Sequence, residues 1–488
     1  MEKIKNFFLK NQTMKQALIK NSFWLFASES TARLLKLALI IYAARVLGAS
    51  GWGVFSYAIS VGGLLMIFSD MGINNLLIRE MSQKKAGFQN LISTMLLLKV
   101  SILSVSALLV IVISPMISNI PEAATLFPII AVIFFFDVMR EIGLTVNRAL
   151  EKMERDMVVK TITNALILGL GIMLLKIEVS PKSVALAYAI GSAAGFATIL
   201  FMIRKYMKEF LGAWDVKLVG PIIKTAWPFV FIIFLGAIMG NTDIYMLGVW
   251  KDSAEIGLYA SVQRMQNFIV LIPSTIAVAI FPLMSRLIVS DKTQSRMVLE
   301  KTLALIMLIG LPIALGGMIL ADQIVPSVFG HGYLGAIPVM QVFMLMMLAS
   351  FPLLLLSNAI LTHNKQKELV PAYMLGILVN VLLNFLLIPQ FGAVGSAVAT
   401  LASTAAITAI ILKKLKAISY FEIMPKLKIA FLATFVMALT TLTLKHFGVN
   451  FIVNVGTSSV IYFFVLFLLK EPTIRELKEF ISNVGREK

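Results

Sequence analysis

The chain has 488 residues, of which 59% are hydrophobic and 14% charged, whereas soluble globular proteins have about 45–50% apolar and about 25% charged residues. This composition excludes a soluble enzyme, a disordered chain and a fibrous protein. The 43 Lys and Arg residues exceed the 25 Asp and Glu residues by 18, which is an unusual excess for so apolar a chain.

Apolar stretches recur along the whole chain and are separated by short polar segments. A helix that crosses a bilayer needs about 20 mostly apolar residues. We therefore predict an all-α polytopic membrane protein with about 14 transmembrane helices. The predicted spans are 22–44, 53–77, 90–115, 124–146, 160–176, 183–203, 221–245, 255–283, 300–321, 335–360, 369–389, 392–412, 428–446 and 450–469.

The distribution of basic residues predicts the orientation of these spans. An even number of spans places both termini on one side of the membrane. If that side is the cytoplasm, 32 of the 43 Lys and Arg residues lie in eight inner segments and 5 lie in outer loops. Cytoplasmic loops are enriched in Lys and Arg, so we predict a multi-pass protein of the cytoplasmic membrane with both termini inside. Because the excess charge is spread over short loops, it reflects topology and predicts no nucleic-acid partner.

A weak internal resemblance at an offset of about 203 residues predicts two halves. Gly53 and Tyr57, at the start of span 2, correspond to Gly257 and Tyr259, at the start of span 8. Six spans per half would make the repeats parallel, as in transporters whose two bundles rock. The predicted organisation is an amphipathic cytoplasmic N-terminal segment 1–21, a first six-helix bundle 22–203, a cytoplasmic linker 204–220, a second six-helix bundle 221–412, helices 13 and 14 in 413–469, and a cytoplasmic tail 470–488.

Motifs of soluble-type catalysis are missing from the sequence. The chain has no cysteine, its three histidines lie far apart, and no Gly-rich loop ends in Gly-Lys-Ser/Thr. No predicted outer loop exceeds about 15 residues, so we expect no folded domain outside the membrane. We therefore expect no enzymatic activity, no metal site and no cofactor.

Ionisable residues within the predicted spans are candidates for function, because each costs at least about 2.5 kcal/mol and usually faces a cavity or a partner. Span 1 contains an acid and two bases at spacings of four and three, which places them on one helix face. Span 8 contains an arginine near its middle, flanked by amides. Arginine donates two parallel hydrogen bonds to phosphate, and a dry cavity strengthens them. The predicted substrate-binding residues are Glu29, Arg33, Lys36, Gln263, Arg264 and Asn267.

Two other interpretations of the intramembrane charges stay open. Internal neutralisation, as between Glu29 and Arg33 or between Arg140 and its acidic neighbours in span 4, would only hold helices together. Alternatively, acidic side chains would bind protons or sodium in a coupled antiporter. The residues available for such ion coupling are Asp70, Asp137, Glu141 and Asp243.

Three stretches resemble a known family. They are ARVLG at 44–48 with GWGVFSY at 51–57, SDMGI at 69–73 followed by RE at 79–80, and FGAVGSA at 391–397. They resemble the bacterial and archaeal polysaccharide (O-antigen or lipid-linked oligosaccharide) flippases of the multidrug/oligosaccharidyl-lipid/polysaccharide exporter superfamily. The similarity in layout covers the whole chain, and the recognisable motifs lie mainly in the first 85 residues.

The resemblance implies export of an undecaprenyl- or dolichyl-type lipid-pyrophosphate oligosaccharide for surface polysaccharide assembly. In the related lipid II flippases, arginines of helices 1, 2 and 8 face the pyrophosphate. Arg33 and Arg264 match two of these positions, whereas span 2 has Asp70 and no internal arginine, which favours a glycan other than the peptidoglycan precursor. In relatives with 14 helices, the last two line a groove for the lipid tail. Membrane lipids and other polysaccharide-assembly proteins are the expected partners.

Two alternatives remain for the function. A cation-coupled multidrug antiporter of the same superfamily would need an acidic cavity, and the predicted midplane is more basic than acidic. A membrane glycan polymerase or ligase would need catalytic residues at the outer face, where the loops are short.

Overall fold

The computed structural model describes residues 14–69, 72–83, 88–207 and 214–472, so residues 1–13 of the predicted N-terminal segment and 473–488 of the predicted tail lie outside the described residues. The described residues form 15 α-helices and no strand. In chain order these are α1 Met14–Met66, α2 Ile73–Gln83, α3 Phe88–Ile117, α4 Phe127–Ala149, α5 Met153–Ile177, α6 Pro181–Ile203, α7 Val216–Trp250, α8 Ser253–Ile269, α9 Leu271–Ser290, α10 Lys292–Ile319, α11 Ala321–Phe329, α12 Ala336–Thr362, α13 Leu369–Ile418, α14 Met424–His446 and α15 Phe451–Leu468. Single 3₁₀ turns are formed by Ile67–Ser69, Pro121–Leu126, His331–Tyr333 and Gln366–Glu368.

Eleven helical stretches in the described residues are long and apolar enough to cross a membrane. Two of them, Phe23–Met66 and Gln366–Ile418, each contain a glycine with a non-helical backbone. Gln366–Ile418 holds predicted spans 11 and 12, whereas Phe23–Met66 holds predicted span 1 from residue 23 and only residues 53–66 of predicted span 2. The prediction of one continuous span over 53–77 was wrong, because the α-helix ends at Met66, a 3₁₀ segment follows at Ile67–Ser69, and a new helix begins at Ile73 after Gly72, whose φ is 68°. The 35 residues of α7 cover the predicted seventh span. The expected all-α, multi-pass membrane architecture is therefore confirmed.

The bend in α1 is at Gly48, between predicted spans 1 and 2, and the bend in α13 is at Gly392, the first residue of predicted span 12. Gly48 has φ 68° and ψ 178°, and Gly392 has φ 54° and ψ −132°. A positive φ is unfavourable for residues with a Cβ and costs glycine little. Pro389 also lacks the N–H that a continuous helix would use just before the second bend.

The predicted eighth span, 255–283, is divided in the structure into α8 and α9 at Val270. Pro273 has no N–H to donate to the carbonyl of Ile269, and its ring crowds that carbonyl. The helix therefore ends at Ile269 and begins again at Leu271. This break lies six residues after Arg264, one of the predicted binding residues.

The described residues fall into two compact units, within Met1–Ser261 and within Val262–Lys488. In the first unit α5 packs along α1, α6 packs on α4 and α5, and α7 belongs to this unit because it packs against α1 and α3. In the second unit α12 packs against α9, α10 and α13, and α14 packs against α10 and α15. The predicted bundles 22–203 and 221–412 divide the chain at a different place and remain a prediction.

Helices α14 and α15 are attached to α10 by apolar and charged contacts. The Tyr462 hydroxyl of α15 donates a 2.7 Å hydrogen bond to the carbonyl of Leu308 within an apolar cluster of the three helices. At the start of α10, the buried Glu300 carboxylate accepts hydrogen bonds from Lys426 Nζ at 2.7 Å and from the backbone N–H of Glu422 at 3.0 Å. These contacts attach α14 and α15 to α10 at two separate places, one at Leu308 and one at Glu300.

Within the first unit, α8 crosses α1 just after the Gly48 bend, at a distance that only glycine permits. A Cβ added to Gly53 would overlap the carbonyl oxygen of Ser253, and one added to Gly257 would overlap that of Ala49. The hydroxyl oxygen of Ser253 is 2.7 Å from that of Ser50. Gly53 and Gly257 are the pair that the internal resemblance aligned, so the crossing joins equivalent positions of the predicted halves.

A Gly53→Val substitution is expected to destabilise the protein, since overpacking a close contact costs about 1–3 kcal/mol. The measurement is the apparent melting temperature of the purified protein in detergent. Gly169→Val is the matched control, because Gly169 is also helical and no atom lies within 4 Å of an added Cβ. An equal shift in both variants would contradict the close crossing.

Candidate functional site

Glu29, Arg33 and Lys36 lie on one face of α1, as their spacing predicts. Arg33 Nε is 4.0 Å from Glu29 Oε2, and the two side chains are 42% and 43% exposed. Lys36 is also exposed. A charge that faces lipid near the midplane costs about 2.5 kcal/mol or more, so this face is expected to meet water or a polar ligand.

A lysine of α5 completes the cluster on α1. Lys160 Nζ donates a hydrogen bond to Glu29 Oε1, and its side chain is 13% exposed. The long contact between α5 and α1 brings these residues together although they are 131 positions apart in the chain. Lys160 is one of the 32 basic residues in the predicted inner segments, and it was not predicted as a site residue. Its position at the first turn of an apolar span, four residues after Asp156, was the available signal.

The acidic residues of α4 are both paired with arginines. Asp137 Oδ1 lies 2.8 Å from Arg140 Nη1, and Glu141 Oε1 lies 2.8 Å from Arg148 Nη1. Neutralisation within the protein therefore occurs here, although the partner of Glu141 is Arg148 and not Arg140. An ion-coupling role for Asp137 and Glu141 stays a prediction.

Arg148 also links α4 to α5 through a fully buried carboxylate that sequence reasoning did not single out. Arg148 Nε donates to Asp156 Oδ2 at 3.1 Å, and Asn147 Nδ2 donates to the other oxygen at 3.3 Å. A buried carboxylate is tolerated when it is paired and hydrogen-bonded in this way. Asp156 therefore has a structural role, because its contacts hold α5 against α4.

The remaining predicted coupling residues are Asp243 and Asp70. Asp243 of α7 is 1% exposed and accepts a 2.6 Å hydrogen bond from the Tyr259 hydroxyl of α8. Asp70 lies outside the described residues. Asp243 thus contributes to the contact of α7 with α8, and its role in coupling stays a prediction.

The predicted binding residues of α8 belong to the second unit. Gln263 and Arg264 are half-buried and Asn267 is exposed. Arg264 and Asn267 lie three residues apart, so they are neighbours on the helix surface. Arg33 and Lys36 belong to the first unit, and joint binding by the two sets stays a prediction.

The second unit contains an apolar cavity of about 410 Å³. Its walls come from α8, α10, α12, α14 and α15, and include Met265, Pro312, Gly316, Met344, Met437 and Phe463. Three hydroxyl groups in the wall bond within the protein: Thr441 Oγ1 donates to Ser458 Oγ at 2.9 Å, Ser458 Oγ donates to Asn454 Oδ1 at 3.0 Å, and the Tyr462 hydroxyl donates to the Leu308 carbonyl at 2.7 Å. The cavity therefore presents a mainly hydrocarbon surface.

In the described part of the chain, no group of three or more His, Cys, Asp and Glu residues is placed to bind a metal ion. The acids of α1, α4 and α5 contact Lys or Arg side chains instead. The arrangement is suited to binding an anion by charge and hydrogen bonding.

Comparison with known sequences identifies several relatives. A family model described as "Polysaccharide biosynthesis protein" matches residues 18–288, more than half of the chain. The "Probable low-salt glycan biosynthesis flippase Agl15" of Haloferax volcanii is 27% identical over 33% of this chain and 35% of that protein. The "Probable flippase AglR" of the same organism is 24% identical over 49% of this chain and 52% of that protein. The matched part of the chain thus spans about a third to a half of these relatives. The "Putative O-antigen transporter" of Shigella flexneri is 22% identical over 65% of this chain and 78% of that protein.

Solved structures resemble this fold over most of its length. The "Lipid II flippase MurJ, inward closed conformation" has a TM-score of 0.75 and 17% identity, covering 92% of this chain and 99% of that chain. An inward-facing "multidrug resistance MATE family transporter of the MOP superfamily" has a TM-score of 0.60 and 11% identity, covering 80% and 94%. At these identities the likeness establishes the fold alone.

Proposed function

The chain belongs to the polysaccharide biosynthesis protein family, and we propose from this that it is a flippase for a lipid-pyrophosphate-linked oligosaccharide in the cytoplasmic membrane. Its relatives include proteins named as flippases and O-antigen transporters. Its fold is the multi-pass helical fold of the lipid II flippase and multidrug transporters. The cargo would serve surface polysaccharide biosynthesis, and the chain itself would perform no covalent chemistry.

The observation that carries this proposal is the partly exposed, basic face of α1. Arg33 and Lys36 accompany one acid there, and Lys160 adds a third base from α5. A diphosphate headgroup has several acceptor oxygens, and each hydrogen bond from a charged donor contributes about 1.5–3 kcal/mol. This face therefore favours an anionic cargo over a cationic one.

The apolar cavity beside α14 and α15 supports a lipid-linked cargo. Burial of each methylene group contributes about 0.8 kcal/mol, so even part of a polyprenyl chain would bind there with useful affinity. The hydroxyl of Tyr462 in the cavity wall donates its hydrogen bond to the carbonyl of Leu308. We propose that this cavity holds the lipid tail, in keeping with the expected role of the last two helices.

The proposed cycle is alternating access. Basic inner segments would attract the anionic headgroup to the cytoplasmic face. Arg33, Lys36 and Arg264 would bind it, with Gln263 and Asn267 beside Arg264 and with Glu29 beside Arg33 in the same site. Rocking of the predicted bundles would then release it outside while the tail remains in the bilayer. Membrane lipids and other polysaccharide-assembly proteins are the proposed partners.

A cation-coupled multidrug antiporter is the second candidate, because the fold also resembles multidrug transporters. Such an antiporter needs acids that are available to protons, sodium or cationic drugs. Asp137 and Glu141 contact arginines, and Asp243 accepts a hydrogen bond from Tyr259. These contacts favour the anionic cargo.

Arg33→Ala and Arg264→Ala are each expected to reduce transport of a lipid-pyrophosphate sugar into proteoliposomes by about tenfold or more, because each removes charged hydrogen-bond donors. The measurement is the initial rate of appearance of the sugar on the far side of the membrane. Arg45→Ala is the matched control, since Arg45 lies on the same helix as Arg33 at its predicted outer end. Wild-type rates in both test variants would contradict the site, and ethidium export without lipid transport would contradict the function.

Gly316→Phe is expected to reduce transport of a substrate with a long polyprenyl chain several-fold, because the new ring would occupy the apolar cavity. Transport of the same headgroup on a two-isoprene chain should change little. Gly316→Ala is the control at the same position, because a Cβ there would lie 3.5 Å from Met437 Cε, an ordinary contact. An equal effect on both chain lengths would contradict the tail-binding role.

The proposed orientation is tested by cysteine labelling, since the chain has no cysteine of its own. Val179 and Val289 are 62% and 87% exposed and lie in predicted outer and inner segments. A membrane-impermeant maleimide should label Val179→Cys in intact cells and Val289→Cys only after permeabilisation. The opposite pattern would place the termini outside.

A further inference from the structure

We propose that Glu29 is an internal substitute for the anionic headgroup, and that Lys160 is a binding residue which Glu29 releases when the headgroup arrives. This inference rests on the proposed function, because it concerns an anionic cargo at the same site. It adds to that function a binding residue on α5 and an exchange step that involves no covalent change.

The geometry places one carboxylate against two bases from different helices. Glu29 Oε1 accepts a hydrogen bond from Lys160 Nζ of α5, and Glu29 Oε2 lies 4.0 Å from Arg33 Nε on its own helix. The Glu29 side chain is 43% exposed, whereas that of Lys160 is 13% exposed. The accessible member of the pair is therefore the acid, and an incoming ligand would meet Glu29 before it meets Lys160.

Of the two described carboxylates near Lys160, Glu29 is the exchangeable one. Asp156, one helical turn before Lys160, is fully buried. Its oxygens accept hydrogen bonds from Arg148 at 3.1 Å and from Asn147 at 3.3 Å. Displacing Asp156 would leave buried partners unsatisfied, whereas Glu29 can turn toward the exposed side of α1.

A substitute anion has a physical purpose beside Lys160, because this lysine lies in a helix that can span the membrane. A lysine without a partner inside a membrane protein is costly and tends to lose its charge. A glutamate at hydrogen-bonding distance offsets this cost and keeps Lys160 correctly placed while the site has no ligand. A diphosphate brings more charge and more acceptor oxygens than one carboxylate, so it would replace Glu29 without leaving either base unpaired.

The simpler explanation is that the Glu29–Lys160 pair only joins α1 to α5. The structure contains a matched pair for this comparison, because Lys20 Nζ of α1 lies 3.3 Å from Glu154 Oε2 of α5. In that pair the lysine is 2% exposed and the acid 25% exposed. The Lys20–Glu154 pair joins the same helices and does not include Arg33, so a purely structural role would make the two pairs equivalent.

The test measures the affinity of the full-length protein in lipid nanodiscs for geranylgeranyl diphosphate, with geranylgeraniol as the uncharged control. Lys160→Gln should weaken diphosphate binding by about tenfold, and Lys160→Arg should restore most of it. Glu29→Gln should strengthen binding, because it removes the competing anion. Lys20→Gln and Glu154→Gln should leave the affinity within about twofold of the wild type, even where they lower the melting temperature.

Ligand-induced stabilisation, measured as the rise in melting temperature on adding the diphosphate, serves as a second measurement for variants of low stability. Unchanged affinity in both Lys160→Gln and Glu29→Gln, with normal binding by the wild type, would overturn this inference and leave the proposed function intact. Weaker binding by Glu29→Gln would also overturn it, since Glu29 would then assist the ligand. Absence of diphosphate binding by the wild type would overturn the proposed function itself.

Discussion

A charge inside a membrane protein needs a partner from the protein or from its cargo, because the surrounding hydrocarbon supplies none. The first unit illustrates this constraint along α1, α4 and α5. Arg148 forms ion pairs with both Glu141 and the buried Asp156, and Lys160 of α5 forms one with Glu29 of α1. The pairs of Arg148 with Asp156 and of Lys160 with Glu29 determine which helix faces meet, since each requires two helices to approach within hydrogen-bonding distance. The packing of α5 along α1 satisfies this requirement.

The packing of the helices also depends on a close approach between the backbones of α1 and α8. Where α8 crosses α1, glycines replace side chains and the carbonyl oxygens of Ala49 and Ser253 occupy the space that a Cβ would need. Small residues permit such approaches between membrane helices, where packing and hydrogen bonds take the place of a hydrophobic driving force. The crossing also joins Gly53 and Gly257, which the predicted internal repeat aligns.

The functional interpretation depends on separating charges that hold helices together from charges that are available to a ligand. Asp156 is fully buried between donors, whereas Glu29 and Arg33 are more than 40% exposed. Family membership points to polysaccharide biosynthesis, and the basic character of the exposed cluster supports an anionic, lipid-linked cargo. The apolar cavity next to α14 and α15 lies in the second unit, and its mainly hydrocarbon wall is the reason for the proposal that it holds a lipid tail.

The amino-acid sequence by itself determined the all-α membrane class, the approximate spans and the charged face of α1, because composition and helical periodicity act within one segment. Gly48 follows predicted span 1 and Gly392 begins predicted span 12, so a glycine stands at both bends for the same local reason. Only the tertiary structure decided the partners of those charges, since Lys160 is 131 residues from Glu29 and Arg148 had to be distinguished from Arg140 as the partner of Glu141. Periodicity describes the faces of a single helix, whereas pairing depends on which helices pack and at what register.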